Sequence, residues 1–401
     1  MLAKEANMKI AWVTAYDAQD LNSYGTRGYY EPKSLQDQSI PVEYIGPLQT
    51  PKLYQPFFYI KRRLHHNRFM KPSDRRWYSV ERSPLILKEY ARQISRKLSK
   101  LGDIDIVCSG PTPWSQPVAY LESDLPIVIW TDGVFASVID FYPAFFRNVI
   151  CQESIENGIA NERSALSRCK LLIYASEWAA QSAIAHYQID PAIIRIVPWG
   201  PNFECNNTLD DIKTIINARS TNCCKLLFFG LDWSRKRGDI AIQVVKQLNQ
   251  AGVNAELTVI GDYPYLDESI PHFIKLTAPI DKTTKEGLDR LFKLLAESHF
   301  LILPTIADAS PYALPEAGAF GLPCLTTDVG GIPTMILDDL NGKKFPVNAS
   351  IDDYCSYISN LFANYSQYKK LSLSSFSEYE TRLNWSVAGK TVKKLLTDLI
   401  S

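Results

Sequence analysis

The sequence predicts an α/β protein built from two doubly wound units in tandem, each an open parallel sheet flanked by helices. Three observations carry that expectation. Short apolar, β-branched runs alternate with amphipathic helical stretches along the chain, which is the pattern of repeated βα units. The pattern is interrupted by a Pro/Gly-rich stretch near residue 200 and then restarts. The length of 401 residues exceeds one ordinary core, and domain-size statistics favour two domains of roughly 200 residues each.

In the first half the expected strands are residues 9–14, 42–45, 104–108, 127–130, 171–174 and 194–197, with helical stretches at 85–101 and 176–187. The second half offers strands at 225–229, 256–260, 299–303 and 323–326, with helices at 239–251, 285–298 and 315–320. Pro198-Trp199-Gly200-Pro201-Asn202 and the polar residues after it mark the boundary. The expected organisation is an N-terminal domain over 1–200, a linker over 201–222 and a C-terminal domain over 223–385. An amphipathic tail, 386–401, completes the chain.

The 46% hydrophobic and 21% charged residues describe a globular chain with a sizeable interior. No apolar run reaches the ~18–20 residues that span a bilayer. The first eight residues lack a signal-peptide pattern, so a protein of the cytoplasm, free or peripheral on the inner face of the membrane, is expected. Eight scattered cysteines form no CxxC pair and read as small buried hydrophobes in a reducing compartment. Five histidines show no ligand spacing, and His186 and His299 read as structural. Asp103-Ile104-Asp105 matches a bare D-x-D pattern but opens a strand, so no metal is expected.

In open α/β sheets ligands bind beyond the carboxyl ends of the strands, so the loops after strands hold the candidates. Leu301–Pro304 runs into a loop and then Ser310-Pro311-Tyr312-Ala313-Leu314-Pro315-Glu316. A strand, loop and helix start place backbone N–H groups at a positive helix end, which cradles a diphosphate. Asp308 and Glu316 would repel phosphates there, so both are expected to bind neutral hydroxyls. After the first strand of the second half comes Gly230-Leu231-Asp232-Trp233-Ser234-Arg235-Lys236-Arg237-Gly238. Three consecutive cations entering a helix suit a polyphosphate. The bland alternatives are a helix with an acidic first turn and an exposed basic loop.

Together these segments resemble the family 4 retaining glycosyltransferases of GT-B fold, two Rossmann-like domains facing a central cleft. Asp308-x7-Glu316 with Gly321-Leu322-Pro323 is similar to their acidic-x7-Glu signature, and 233–238 to their phosphate-binding loop. Tyr174–Trp178, Tyr187 and 198–202 are similar to the segment before the interdomain linker, and Ser23-Tyr24-Gly25-Thr26 to the first glycine loop. The resemblance implies that Glu316 binds the ribose of a nucleotide-sugar donor and Asp308 its sugar hydroxyls. Ser310 and the amides of Tyr312, Ala313 and Leu314, beside Pro311, would hold phosphate and sugar oxygens. Lys236 would neutralise the departing phosphate beside Gly230, Arg235 and Arg237, with Gly25 and Thr26 approaching the diphosphate from the other domain. Gly261 and Lys282 mark the loops near the base, and Asp132 stands where many relatives place a His near the reacting carbon. Three departures are visible: Asp308 where Glu is commoner, Leu231 in place of an Arg, and Arg237 in place of the glycine after the lysine.

The reaction implied is transfer of a hexose-type sugar from a UDP- or GDP-sugar to a glycan, lipid-linked or small-molecule acceptor, with no cofactor and no metal. The tail would form a helix crossing back to the first domain, as in GT-B relatives. Two other readings stay open: a sugar-nucleotide epimerase or phosphorylase of the same fold, and a catalytically degenerate scaffold. Between Lys52 and Lys100 there are 14 Lys/Arg against three acids, a net +11 in a chain of net charge zero. Aromatics beside these cations suit an anionic membrane surface, a lipid-linked or soluble anionic acceptor, or a solvated loop; nucleic acid is not expected.

Overall fold

The computed structural model describes residues 8–24, 28–66, 75–263 and 270–401. The chain divides into two compact units, Met1–Val197 with Ala388–Ser401, and Pro198–Val387. Residues 201–222, expected as a linker, contain the helix Leu209–Ala218 and are counted with the second unit. Its Ile212 and Ile216, one turn apart, are buried, and Thr208 closes its start with a capping box.

The first unit holds a six-stranded parallel sheet in the order β2-β1-β3-β4-β5-β6. The strands are β1 (Ile10–Val13), β2 (Val42–Ile45), β3 (Ile106–Ser109), β4 (Ile127–Thr131), β5 (Cys169–Tyr174) and β6 (Ile194–Ile196). Every residue of β1, β3 and β4 is buried, as strands covered by helices on both faces must be. Ser176 accepts from the Ala179 amide and starts the helix Glu177–Tyr187. Asp105 of the D-x-D pattern accepts from the Lys9 amide, so that carboxylate fastens the start of β1. Residues Ala388, Val392 and Leu396 of the tail helix Trp385–Ile400 are buried at four-residue spacing. Gly389 lets this helix approach the Ser34 backbone, where an added Cβ would lie 2.4 Å from the Ser34 carbonyl oxygen.

The second unit holds another six-stranded parallel sheet, ordered β12-β11-β10-β7-β8-β9. Its strands are β7 (Cys224–Gly230), β8 (Ala255–Gly261), β9 (Ile274–Thr277), β10 (Phe300–Leu303), β11 (Cys324–Thr327) and β12 (Gly342–Phe345). The sequence reading lacked β9 and β12, the two edges. Their compositions, IKLT and GKKF, are half-buried and too polar to stand out. His299 sits just before β10 and is structural: its Nδ1 accepts from the Lys225 amide, so its Nε2–H donates to the Ser220 carbonyl. Burial lowers its pKa to about 4 and keeps the ring neutral.

Candidate functional site

Strand order sets a switch point in the second unit, as it does in the first. From β7 the chain steps outward to β8 and β9, then returns to add β10, β11 and β12 on the other side. The loops leaving β7 and β10 therefore diverge, and the crevice at such a switch point is where α/β sheets bind ligands. Both candidate segments are those loops. They are tied together: the Ile306 amide donates to the Arg235 carbonyl at 3.0 Å, and Thr305 Oγ1 donates to the same oxygen at 3.2 Å.

The cation loop forms a short helix, Trp233–Lys236, capped by Asp232, and then the helix Gly238–Gln250. Lys236 folds back over the end of β7, and Gly230 is what allows it. A Cβ on Gly230 would lie 2.7 Å from Lys236 Cγ. Gly261, paired across from Gly230 on β8, adopts φ +136° and leaves 2.2 Å between an added Cβ and the Gly230 carbonyl oxygen. Lys236 Nζ donates to Asp308 Oδ2, and Arg235 Nη1 donates to the same oxygen at 3.3 Å and to the Ala307 carbonyl at 2.5 Å. Asp308 thus gathers two cations at the mouth of the sheet. Arg237 departs from this cluster: it takes the left-handed conformation, φ 55°, that a glycine adopts without penalty, and its guanidinium donates to the Val347 carbonyl.

Glu316 lies in the helix Ala313–Gly318 and is fully buried. Its Oε1 accepts from Lys282 Nζ at 2.5 Å and from the Asn202 amide at 3.3 Å. Its Oε2 is buried and has no hydrogen-bond partner. An orphaned carboxylate oxygen in a protein interior costs free energy until a donor reaches it. A hydroxyl-bearing ligand supplies such a donor. Lys282, expected only through its backbone, contributes its side chain instead.

The turn before Glu316 is held from below. Trp199 is fully buried and stacks on Tyr312 with ring centroids 5.3 Å apart and planes at 18°. Trp385 lies 6.4 Å from Trp199 and donates its indole N–H to the Pro201 carbonyl. Ser310, Ala313 and Leu314 are buried in the same turn, with the Leu314 amide bonded to the Pro311 carbonyl. Asn202 and Trp199 were missing from the expected site. The Pro-Trp-Gly-Pro-Asn signal was in plain view, but a contact spanning 114 residues has no local sequence signature.

Gly25 and Thr26 lie outside the described residues. Asp132 belongs to the first unit, half-buried just beyond β4. Its charge acts on Glu31, which pattern reading passed over and which is 0% exposed. Burial pushes the Glu31 pKa up to about 8; the amides of Gly28 and Glu31 itself pull it down, and Asp132 adds to the rise. A single Glu at the start of a helix carries no mark of such burial. Among the described residues there is no group of three His, Cys, Asp or Glu that could hold a metal ion.

Known proteins share the fold of two parallel α/β sheets. Residues 223–364 match the family model described as glycosyl transferases group 1. A phosphatidylinositol N-acetylglucosaminyltransferase gpi3 subunit from Schizosaccharomyces pombe is 19% identical over 367 residues, covering 79% of this chain and 78% of the relative. The Saccharomyces cerevisiae counterpart is 20% identical over 239 residues, and the chain spans about half of its length, 52%. Among solved structures, a glycosyltransferase from Rickettsia africae superposes with a TM-score of 0.62 at 14% identity, covering 98% of this chain and 99% of the other. Sucrose-phosphate synthase from Thermosynechococcus elongatus gives 0.63 at 12% identity over 98% and 99%. Anabaena Alr3699/HepE in complex with UDP-glucose gives 0.60 at 12% identity over 98% and 100%.

Proposed function

With a group 1 glycosyl transferase match over residues 223–364 and the two parallel α/β units of the GT-B fold, we propose that this chain is a retaining glycosyltransferase. It takes a sugar from a UDP- or GDP-sugar and passes it to a hydroxyl of a glycan, lipid-linked or small-molecule acceptor. The observation that supports this reading most directly is the Lys236–Asp308 pair joining the loops after β7 and β10, followed by Glu316 on the next helix with its Oε2 left without a donor.

In this reading the ribose hydroxyls donate to Glu316, and the turn at 310–314 receives the diphosphate. The sugar–phosphate bond breaks, its electron pair leaves on the β-phosphate, and partial positive charge develops on the ring. Lys236, held beside the phosphate by Asp308, neutralises the leaving charge, aided by Arg235. Such preorganised charge supplies several kcal/mol of transition-state stabilisation. The acceptor hydroxyl adds to the same face of the sugar and its proton passes to the leaving phosphate, which closes the balance without a protein nucleophile. Asp308 also contacts sugar hydroxyls. The donor sugar is a hexose or an N-acetylhexosamine; the names of the yeast relatives bring in the second.

The test is calorimetric titration with UDP and GDP, followed by nucleotide release from a donor panel with and without lipid extract. Glu316→Gln removes a charge-assisted partner worth about 1.5–3 kcal/mol, so nucleotide affinity is expected to fall about 10- to 150-fold. Unchanged affinity in that variant, or no binding of either nucleotide to the wild type, would overturn the reading.

A further inference from the structure

The helix Gln55–His65 of the first unit carries a line of large apolar side chains facing water. Leu53, in the turn that leads into it, is 84% exposed, Phe57 48%, Ile60 58% and Leu64 66%. The spacing 53, 57, 60, 64 follows one face of a helix. A different face attaches the helix to its unit. Phe58 is buried against Tyr78, the His65 ring stacks on Tyr78 at 5.5 Å, and Lys61 Nζ pairs with Glu153 at 2.8 Å. Scattered exposed apolar residues are ordinary on soluble proteins, but three aligned on one short helix with a fourth in the turn before it are not scattered.

Charge identifies what covers them. The helix, QPFFYIKRRLH, contains no acid, and it opens a 52–100 segment of 14 Lys/Arg and three acids. Lys52 and Arg63 are exposed and form no ion pair among the described residues, and Arg62 is 3.7 Å from Glu81. The Arg63 guanidinium lies 5.4 Å from the centre of the exposed Tyr59 ring. Tyrosine and arginine side by side, each with an apolar body and a polar tip, suit a boundary between hydrocarbon and water. A nucleic acid would meet the cations but leave four apolar side chains in water. A protein partner would need an acidic rim around an apolar groove.

We propose that the helix Gln55–His65 lies in the plane of an anionic membrane surface. Leu53, Phe57, Ile60 and Leu64 enter the headgroup–acyl boundary, and Lys52, Arg62 and Arg63 meet lipid phosphates. Neither the donor site nor the transfer reaction is needed for this inference. The first unit is thereby held at a lipid surface by a reversible contact, since one amphipathic helix is far weaker than a spanning segment. Among the described residues no helix is long and apolar enough to cross a membrane.

The experiment is co-sedimentation of the full chain with phosphatidylcholine–phosphatidylglycerol vesicles and with pure phosphatidylcholine vesicles, at low and high salt. Binding to the anionic vesicles is expected, with loss at high salt. The double variant Ile60→Glu/Leu64→Glu is expected to bind at least about tenfold more weakly, with an unchanged circular dichroism spectrum and melting temperature. Lys52→Glu/Arg63→Glu is expected to bind more weakly and with a flatter salt dependence. Equal binding to neutral vesicles, or wild-type binding by either double variant, would overturn the proposal. A chain that ignores vesicles but forms a dimer broken by Ile60→Glu/Leu64→Glu would overturn it in favour of self-association.

Discussion

Replacing Gly230 by alanine isolates the position of one ammonium group. The added Cβ falls 2.7 Å from Lys236 Cγ, 3.3 Å from its Cβ and 3.4 Å from its Cδ. An ordinary carbon–carbon contact is about 3.5 Å, so the lysine stem must retreat by roughly 0.8 Å. Lys236 has little room to do so: 11% of its side chain is exposed, and its ammonium is tied to Asp308. Misplacing a catalytic group by about 1 Å costs on the order of 100-fold in rate. Gly230 has no positive φ, so alanine fits the backbone and the fold is expected to survive. The assay is nucleotide release from the preferred donor, with melting temperature as the control. The expected outcome is a fall of about two orders of magnitude in kcat/KM with a melting temperature close to wild type. A rate within about threefold of wild type would show that the Lys236 position is not what the chemistry depends on.

Two further outcomes test buried side chains, one in each unit. Glu31 binds its proton up to about pH 8 in the fold but only to about 4.5 when unfolded, so its contribution is complete below the lower value and is lost as pH rises to the upper one. Glu31→Gln removes that titration; the variant should gain stability relative to wild type between pH 5 and pH 8, by a few kcal/mol at most, measured by denaturant melts. An equal difference at both pH values would refute the burial argument. Trp199→Ala empties a fully buried site beneath Tyr312 and is expected to cost about 3–5 kcal/mol, or roughly 10 °C in melting temperature by scanning calorimetry. It should also weaken nucleotide binding, because the Asn202 amide that steadies Glu316 lies three residues away. Nucleotide affinity equal to wild type would separate the stack from the site.

The central strands of both sheets were legible because burial on two faces leaves continuous apolar runs, as in β1, β4 and β10. The edge strands β9 and β12 were not, since one-sided exposure admits Lys275, Lys343 and Lys344. Asp308, Glu316 and the 235–237 cations could be read because loops after strands are local in sequence. By itself the chain determined two repeated βα patterns and which loops carry charge. Tertiary structure decided the partners. It joined Lys236 to Asp308 over 72 residues, Lys282 to Glu316 over 34 and the Asn202 amide to Glu316 over 114, and it buried Glu31. It also turned Arg237 toward Val347. The physical reason is that local pattern reflects only which face of an element avoids water, whereas a hydrogen bond depends on where strand order brings distant backbone within about 3 Å.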